Sequence, residues 1–263
     1  LYLSALDVWT LSFLFGFQIY FDFSAYSHIA IGSAKLMGIN FPENFNFPYA
    51  ATSFKDFWKR WHISLSSWIR DYLYLPLKGA KVEDRSTGGL NIEKNKKIDK
   101  NNSALFITWA IMGLWHGSNW TFVVWGLYHS ILIYLERFFN GWNKFLSNSQ
   151  RKIVGLIITL PLAMLGWIPF RAKNVSETIN MLIKIIDYRE YSYLGLRENT
   201  YLITVLMLIF FVIGYLYNNK IKPRLINNST NGKNLLIIFE YSLLITLVFI
   251  FLRPINQFIY FQF

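Results

Sequence analysis

The sequence predicts an all-α fold, a polytopic transmembrane helical bundle forming a single membrane domain over residues 1–263. Two observations carry that expectation. Apolar residues make up 54% of the chain and aromatics 19%, with a mean hydropathy of +0.29. Those residues collect in runs of about 18, separated by polar, basic loops, which is the pattern of membrane spans rather than of a soluble core. The net charge of +11 falls mainly in those loops. It therefore fits membrane topology and not nucleic-acid binding, which needs a basic surface on a soluble fold.

Taken in order, Leu1 to Phe21 reads as one membrane helix and Phe23 to Ile39 as a second, with Asp22 at the junction. The second is rich in Ser24, Ala25, Ser27, Ala30, Gly32, Ser33 and Ala34, small residues that let helices approach closely in lipid. Asp22, Ser24, Tyr26, Ser27 and His28 concentrate polarity near that junction. They read either as a hydrogen-bonded packing cluster or as the lining of a polar cavity. Pro42 and Pro48 bracket an irregular connection. Ser53-Phe54-Lys55-Asp56 resembles a capping box and opens an amphipathic helix. Phe54, Phe57, Trp58, Trp61, Leu65, Trp68, Ile69 and Tyr72 share one face, with Lys55, Lys59, Arg60, Arg70 and Asp71 opposite. That pattern describes a helix lying in the membrane interface, closed by Pro76, with His62 at the border of its faces.

Lys78 to Asn102 is polar and basic and is assigned to the cytoplasm. Three single spans follow after residue 139, over Ile153–Phe170, Tyr201–Tyr217 and Leu235–Leu252. The loops Arg137–Lys152 and Asn218–Asn234 are rich in Lys and Arg, and Arg171–Asn199 mixes both signs. Positive charge places the first two loops inside and the mixed one outside. The 36 residues from Ala104 to Phe139 then leave and return on one side. They form a hairpin or re-entrant element, with its turn at Gly113-Leu114-Trp115-His116-Gly117-Ser118-Asn119. A helical rise of about 18 Å from Ala104 to His116 takes that histidine past the middle of a hydrocarbon core about 30 Å thick. An ionisable side chain at such depth marks a functional site.

The chemistry open to the chain is narrow. There is no cysteine, so disulfides, thiolate metal sites and a Cys nucleophile are excluded. No Gly-x-Ser-x-Gly, Walker or dinucleotide motif occurs. The four histidines are scattered, without a metal-binding spacing, so no metal is expected. What remains is histidine acid–base catalysis. His116 and His129 lie on opposite arms of the hairpin and are the candidate catalytic pair. Asn119, Ser118 and the indoles of Trp115 and Trp120 are donors for a developing oxyanion.

Several segments also resemble a known family. They are Gln18-Ile19-Tyr20-Phe21-Asp22-Phe23-Ser24-Ala25-Tyr26-Ser27, Gly38-Ile39-Asn40-Phe41-Pro42-Glu43-Asn44-Phe45, Phe57-Trp58-Lys59-Arg60-Trp61-His62-Ile63-Ser64-Leu65-Ser66-Ser67-Trp68, Arg70-Asp71-Tyr72-Leu73-Tyr74-Leu75-Pro76-Leu77, Leu114-Trp115-His116-Gly117 and Trp125-Gly126-Leu127-Tyr128-His129. Together with the terminal Asn256-Gln257-Phe258-Ile259-Tyr260-Phe261 they look like the membrane-bound O-acyltransferases, in the branch of alginate O-acetylation proteins and peptidoglycan O-acetyltransferases. The resemblance implies a multi-pass protein of the cell inner (plasma) membrane, a ring of helices around a cavity joining the two membrane faces. His116 matches the histidine regarded as catalytic in that family, and His129 is a plausible second. Asp22, His28, Trp61, His62, Arg70, Asp71, Trp115 and Asn119 fall in or beside the matching motifs and are expected to line or support the substrate tunnel.

By the same resemblance no cofactor is bound and acetyl-CoA is the acyl donor from the cytoplasmic side. The acetyl group reaches a polysaccharide acceptor through an extracytoplasmic hydrolase-like acetyltransferase partner. D-alanyl transfer to teichoic acid, or a non-catalytic acyl-conducting channel, are the alternatives. Family members carry further helices before the position of Gln18, so the chain reads as N-terminally truncated.

Overall fold

The computed structural model of the protein describes residues 2–79, 102–139, 147–228 and 230–251. Among them all regular structure is helical. The contacts divide the chain into two compact units, Leu1–Leu196 and Arg197–Gln262. The basic stretch 80–101, most of the loop following Phe139 and the terminal motif at 256–261 lie outside the described residues.

The first unit begins with helix α1, Ala5–Leu36. Ser4 caps it, accepting from the Asp7 amide, while the Asp7 carboxylate accepts back from the Ser4 amide at 2.7 Å. The same buried carboxylate receives the amides of Gly195 and Leu196 at 3.0 and 3.2 Å, so it also pins the far end of the unit to the start of α1. The helix ends in a Schellman turn. Ile39 N–H reaches the Ala34 carbonyl, Gly38 N–H reaches that of Lys35, and Gly38 takes φ +77°. The two helices expected here are therefore one. Asp22 carries no helix-breaking geometry and sits half-buried in mid-helix.

Residues 39–53 cross back over α1, with a single 3₁₀ turn at Pro48–Ala50 and the Tyr49 hydroxyl on the Gly16 carbonyl at 2.6 Å. The stretch expected to be one amphipathic helix is broken in two, α2 (Phe54–Arg60) and α3 (Ile63–Ile69). The break is at His62, held at φ 42°. A π-helical turn, Arg70–Tyr74, and the short α4, Leu75–Leu77, follow. Asp71, expected on the charged outer face, is 1% exposed and pairs with Arg70 Nε at 2.7 Å. The break at His62 starts a new helix, so the phase set by the helix from Phe54 no longer applies at Asp71.

Helices α5 (Ser103–His116) and α6 (Trp120–Phe138) form an antiparallel hairpin with its turn at Gly117–Asn119. Glu136, near the end of α6, accepts the Phe54 and Lys55 amides at 2.5 and 3.2 Å and so anchors the hairpin to the start of α2. Next come α7 (Asn148–Leu165), α8 (Trp167–Arg171) and α9 (Val175–Ile186). A 3₁₀ turn at Tyr188–Tyr191 completes the regular structure of this unit.

The second unit holds α10 (Glu198–Leu216), a π turn at Tyr217–Ile221, α11 (Lys222–Asn228) and α12 (Thr230–Phe251). Glu240, inside the apolar α12, is satisfied by the Tyr217 hydroxyl at 2.7 Å and Lys222 Nζ at 2.9 Å.

Among the described residues, two stretches, Asn148–Arg171 and Glu198–Leu225, are long and apolar enough to cross a membrane. They cover the expected spans Ile153–Phe170 and Tyr201–Tyr217. Shorter apolar helices run over Ser103–His116 and Ile237–Val248.

Candidate active site

The hairpin owes its close packing to two glycines. A Cβ on Gly113 would run into the Phe122 carbonyl, and one on Gly126 into that of Trp109. Both obstacles are backbone, which cannot move aside, so the arms meet at distances only glycine permits. At the tip, the Asn119 side chain caps α6 by accepting from the Thr121 amide at 3.1 Å. Its Nδ2 donates to the Lys173 carbonyl at 2.9 Å. Both ends of that amide are thus engaged in holding the turn against the segment before α9.

His116 is the last residue of α5, and its partly accessible ring projects into an aromatic corner. Trp125 of α6 meets it edge-on at 4.9 Å between centroids, Phe170 of α8 at 5.1 Å and the neighbouring Trp115 at 4.8 Å. The Trp115 ring itself is 57% exposed.

His129 has a different setting. It is 1% exposed and enclosed by Phe57, Trp58, Trp109, Trp125 and Tyr128. Its Nε2 lies against Gly166, where a Cβ would collide with it, and among the described residues its Nδ1 has no hydrogen-bond partner. Trp125 touches both histidines, its centroid 4.9 Å from one ring and 5.1 Å from the other.

His62 belongs to a separate polar network. Its Nδ1 is 3.0 Å from Asn44 Oδ1, which also accepts the Ser64 amide and hydroxyl, while Asn44 Nδ2 donates to Ser27. That network makes Oδ1 the acceptor and Nδ1 the protonated nitrogen, leaving the His62 Nε2 lone pair free for another donor. A run of ring contacts links the two histidines, from His62 through Phe45, Trp61, Trp167 and Phe170 to His116, with steps of 4.8–6.4 Å.

The remaining expected site residues are spread out. Trp61 is buried at the centre of the aromatic run. His28 stands exposed on α1, 3.8 Å from Glu43. Asp22 is half-buried on α1, and Arg70 and Asp71 form their own pair at the π turn. Sequence reasoning did not single out Trp125, Phe170, Trp167 or Asn44. Trp125 was within reach, because it lies four residues before His129 on the same helical face. Phe170 and Trp167 arrive from a separate helix, with no local sequence signal. Among the described residues no group of three or more His, Cys, Asp or Glu side chains is placed to hold a metal ion.

A neutral imidazole beside apolar rings, with one edge accessible, can accept a proton from a hydroxyl and return it to a leaving group. The chain is 38% identical over 180 residues to a peptidoglycan O-acetyltransferase of Helicobacter pylori, covering 68% of this chain and 32% of that protein. It is 33% identical over 229 residues to the probable alginate O-acetylase AlgI of Pseudomonas aeruginosa, covering 83% and 40%. It is 35% identical over 169 residues to a teichoic acid D-alanyltransferase of Bacillus subtilis, covering 62% and 41%. The chain thus spans about a third to two-fifths of the length of these relatives. Residues 2–168 match the membrane-bound O-acyltransferase family, and the chain belongs to it.

Proposed function

We propose that the chain carries the catalytic centre of a membrane O-acyltransferase that O-acetylates a cell-envelope or extracellular polysaccharide. The observation that carries this reading is the placement of His116. In a chain of this family, it ends a short apolar helix as a half-buried residue, with its ring against Trp125 and Phe170. In this reading the two units act together as one membrane domain, and the α5–α6 hairpin enters and leaves from the cytoplasmic side. The donor, acetyl-CoA, arrives from the cytoplasm. His116 takes the proton from an acceptor hydroxyl as its oxygen attacks the thioester carbonyl. The tetrahedral intermediate then collapses, expelling the CoA thiolate, which recovers the proton from the imidazolium. His62, with Nε2 unprotonated, is placed to assist, and His129 acts from inside the aromatic box. The acetyl group passes to a hydrolase-like partner outside and then to the polymer. Asp22, His28, Arg70 and Asp71 support the tunnel wall.

The test uses the full-length protein, purified in lipid and given acetyl-CoA labelled in the acetyl group. Transfer of label to a polysaccharide hydroxyl, or to the partner, supports the reading. Labelled D-alanine transferred in place of acetyl would assign the chain to the chemistry of its D-alanyltransferase relatives. Passage of an acyl group with no covalent product formed on the protein's side would leave only conduction.

A further inference from the structure

The segment between the two membrane-crossing stretches contains a helix that the sequence alone reads as a connection. Helix α9, Val175–Ile186, exposes Ile179, Ile183 and Ile186 at 49%, 57% and 83%. At 3.6 residues per turn these three fall within an arc of about 60°. Ser176 and Asn180, both exposed, occupy the adjoining arc, and Thr178 is buried on the side that meets the protein. The helix therefore has three faces, one against the unit's core, one polar and one of bare isoleucine. Tyr188 follows directly at 78% exposure.

Two facts determine what covers the isoleucines. The segment 172–197 joins the stretches Asn148–Arg171 and Glu198–Leu225, each long and apolar enough to cross the bilayer. Its only α-helix is about 18 Å long, too short for a core about 30 Å thick, and it carries Glu177 and Lys184. Both crossings must therefore open onto this segment at one membrane face, which puts α9 at the level of the lipid headgroups. There an apolar stripe beside a polar one is the signature of a helix lying in the interface, and an exposed tyrosine at its end fits the aromatic belt.

We propose that α9 is an interfacial helix whose Ile179, Ile183 and Ile186 are bedded in membrane lipid, while Ser176 and Asn180 face water. This placement does not depend on the acyl-transfer reading. It gives the outer end of α1 and the Asp7–Gly195 tie a fixed depth at the membrane surface.

The absence of cysteine in this chain makes the test direct. On a cysteine-free background, the full-length protein is made with Ile179→Cys, Ile183→Cys, Ile186→Cys, Ser176→Cys or Asn180→Cys, one at a time. Each variant is labelled with an environment-sensitive fluorophore and reconstituted into phosphatidylcholine–phosphatidylglycerol vesicles. Quenching by spin-labelled lipid is then compared with quenching by aqueous iodide. The proposal expects lipid quenching to exceed iodide quenching several-fold at the three isoleucine positions, and the reverse at Ser176 and Asn180. Five independent sites guard against one poorly folded variant. Dominant iodide quenching at the isoleucines would overturn the proposal by placing the stripe in water. Protection from both quenchers would overturn it by showing the stripe covered by protein.

Discussion

The ring of His116 meets the indole of Trp125 edge-on, centroids 4.9 Å apart and planes at 87°. That contact crosses the hairpin from the end of α5 to the middle of α6. It fixes where the imidazole can point, because the Trp125 indole is itself wedged against Trp58, Trp109 and His129 and is 1% exposed. If His116 carries the chemistry proposed above, Trp125 acts on it by positioning its ring.

Trp125→Leu should therefore lower kcat of the full-length enzyme by roughly a hundredfold while leaving KM for the acyl donor nearly unchanged, since a misplacement of about 1 Å at a reacting group costs on that order. Steady-state kinetics with matched protein amounts checks it. Trp125→Ala should add a loss of stability of about 3–5 kcal/mol, from the cavity left by a fully buried indole.

The hairpin depends on two close backbone approaches. Gly113→Ala and Gly126→Ala each put a methyl group onto a carbonyl of the opposite arm. Each should destabilise the protein by about 1–3 kcal/mol or more, the range for overpacking a tight interior. Gly32→Ala, inside α1 where a Cβ meets nothing, is the control expected to hold or slightly raise the melting temperature, since alanine favours helix over glycine. Thermal unfolding in detergent reads all three.

Asp7 holds three amides, those of Ser4, Gly195 and Leu196. Asp7→Ala strands those donors at a site where the side chain is fully buried. The expected cost is about 3 kcal/mol, as for leaving buried groups of this kind unpaired. Limited proteolysis should show the segment around residue 195 cleaved faster in the variant.

Outside the spans, the Tyr2 hydroxyl is the largest of the influences that hold the Glu190 carboxyl below its usual range; burial opposes it, and Tyr193 and Lys184 add to the lowering. A carboxylate whose pKa is depressed in the fold contributes stability that is complete above its unfolded value, about 4.3. That contribution is lost as the pH falls through the folded value. Melting temperature should thus be flat near neutrality and fall below about pH 4. Glu190→Gln should remove part of that acid slope while changing little else.

Much of this arrangement was legible before any coordinates. The awkward length of 104–139 and the glycine-flanked histidine gave the hairpin, and the apolar runs gave the two crossing stretches. What was not legible traces to specific residues. The cluster Asp22–His28 looked like a helix junction, yet none of its residues forbids helical backbone and α1 runs straight through. The 54–72 pattern looked continuous because a left-handed His62 leaves no mark in hydrophobic periodicity. Asp71 looks solvent-facing only if one unbroken helix crosses His62. Phe170 and Trp167 reach the site only through tertiary packing, since α8 lies more than 50 residues beyond His116. Helix α9 carries a helical spacing in Ile179, Ile183 and Ile186 that the mixed charge of its segment obscures.

The central claim is that His116 performs the proton transfer. The most direct measurement replaces it by alanine in the full-length protein and compares the acetyl content of the envelope polysaccharide at matched membrane expression. The account predicts loss of acetylation to background with the protein still folded and inserted. Acetylation at the unsubstituted level would contradict it.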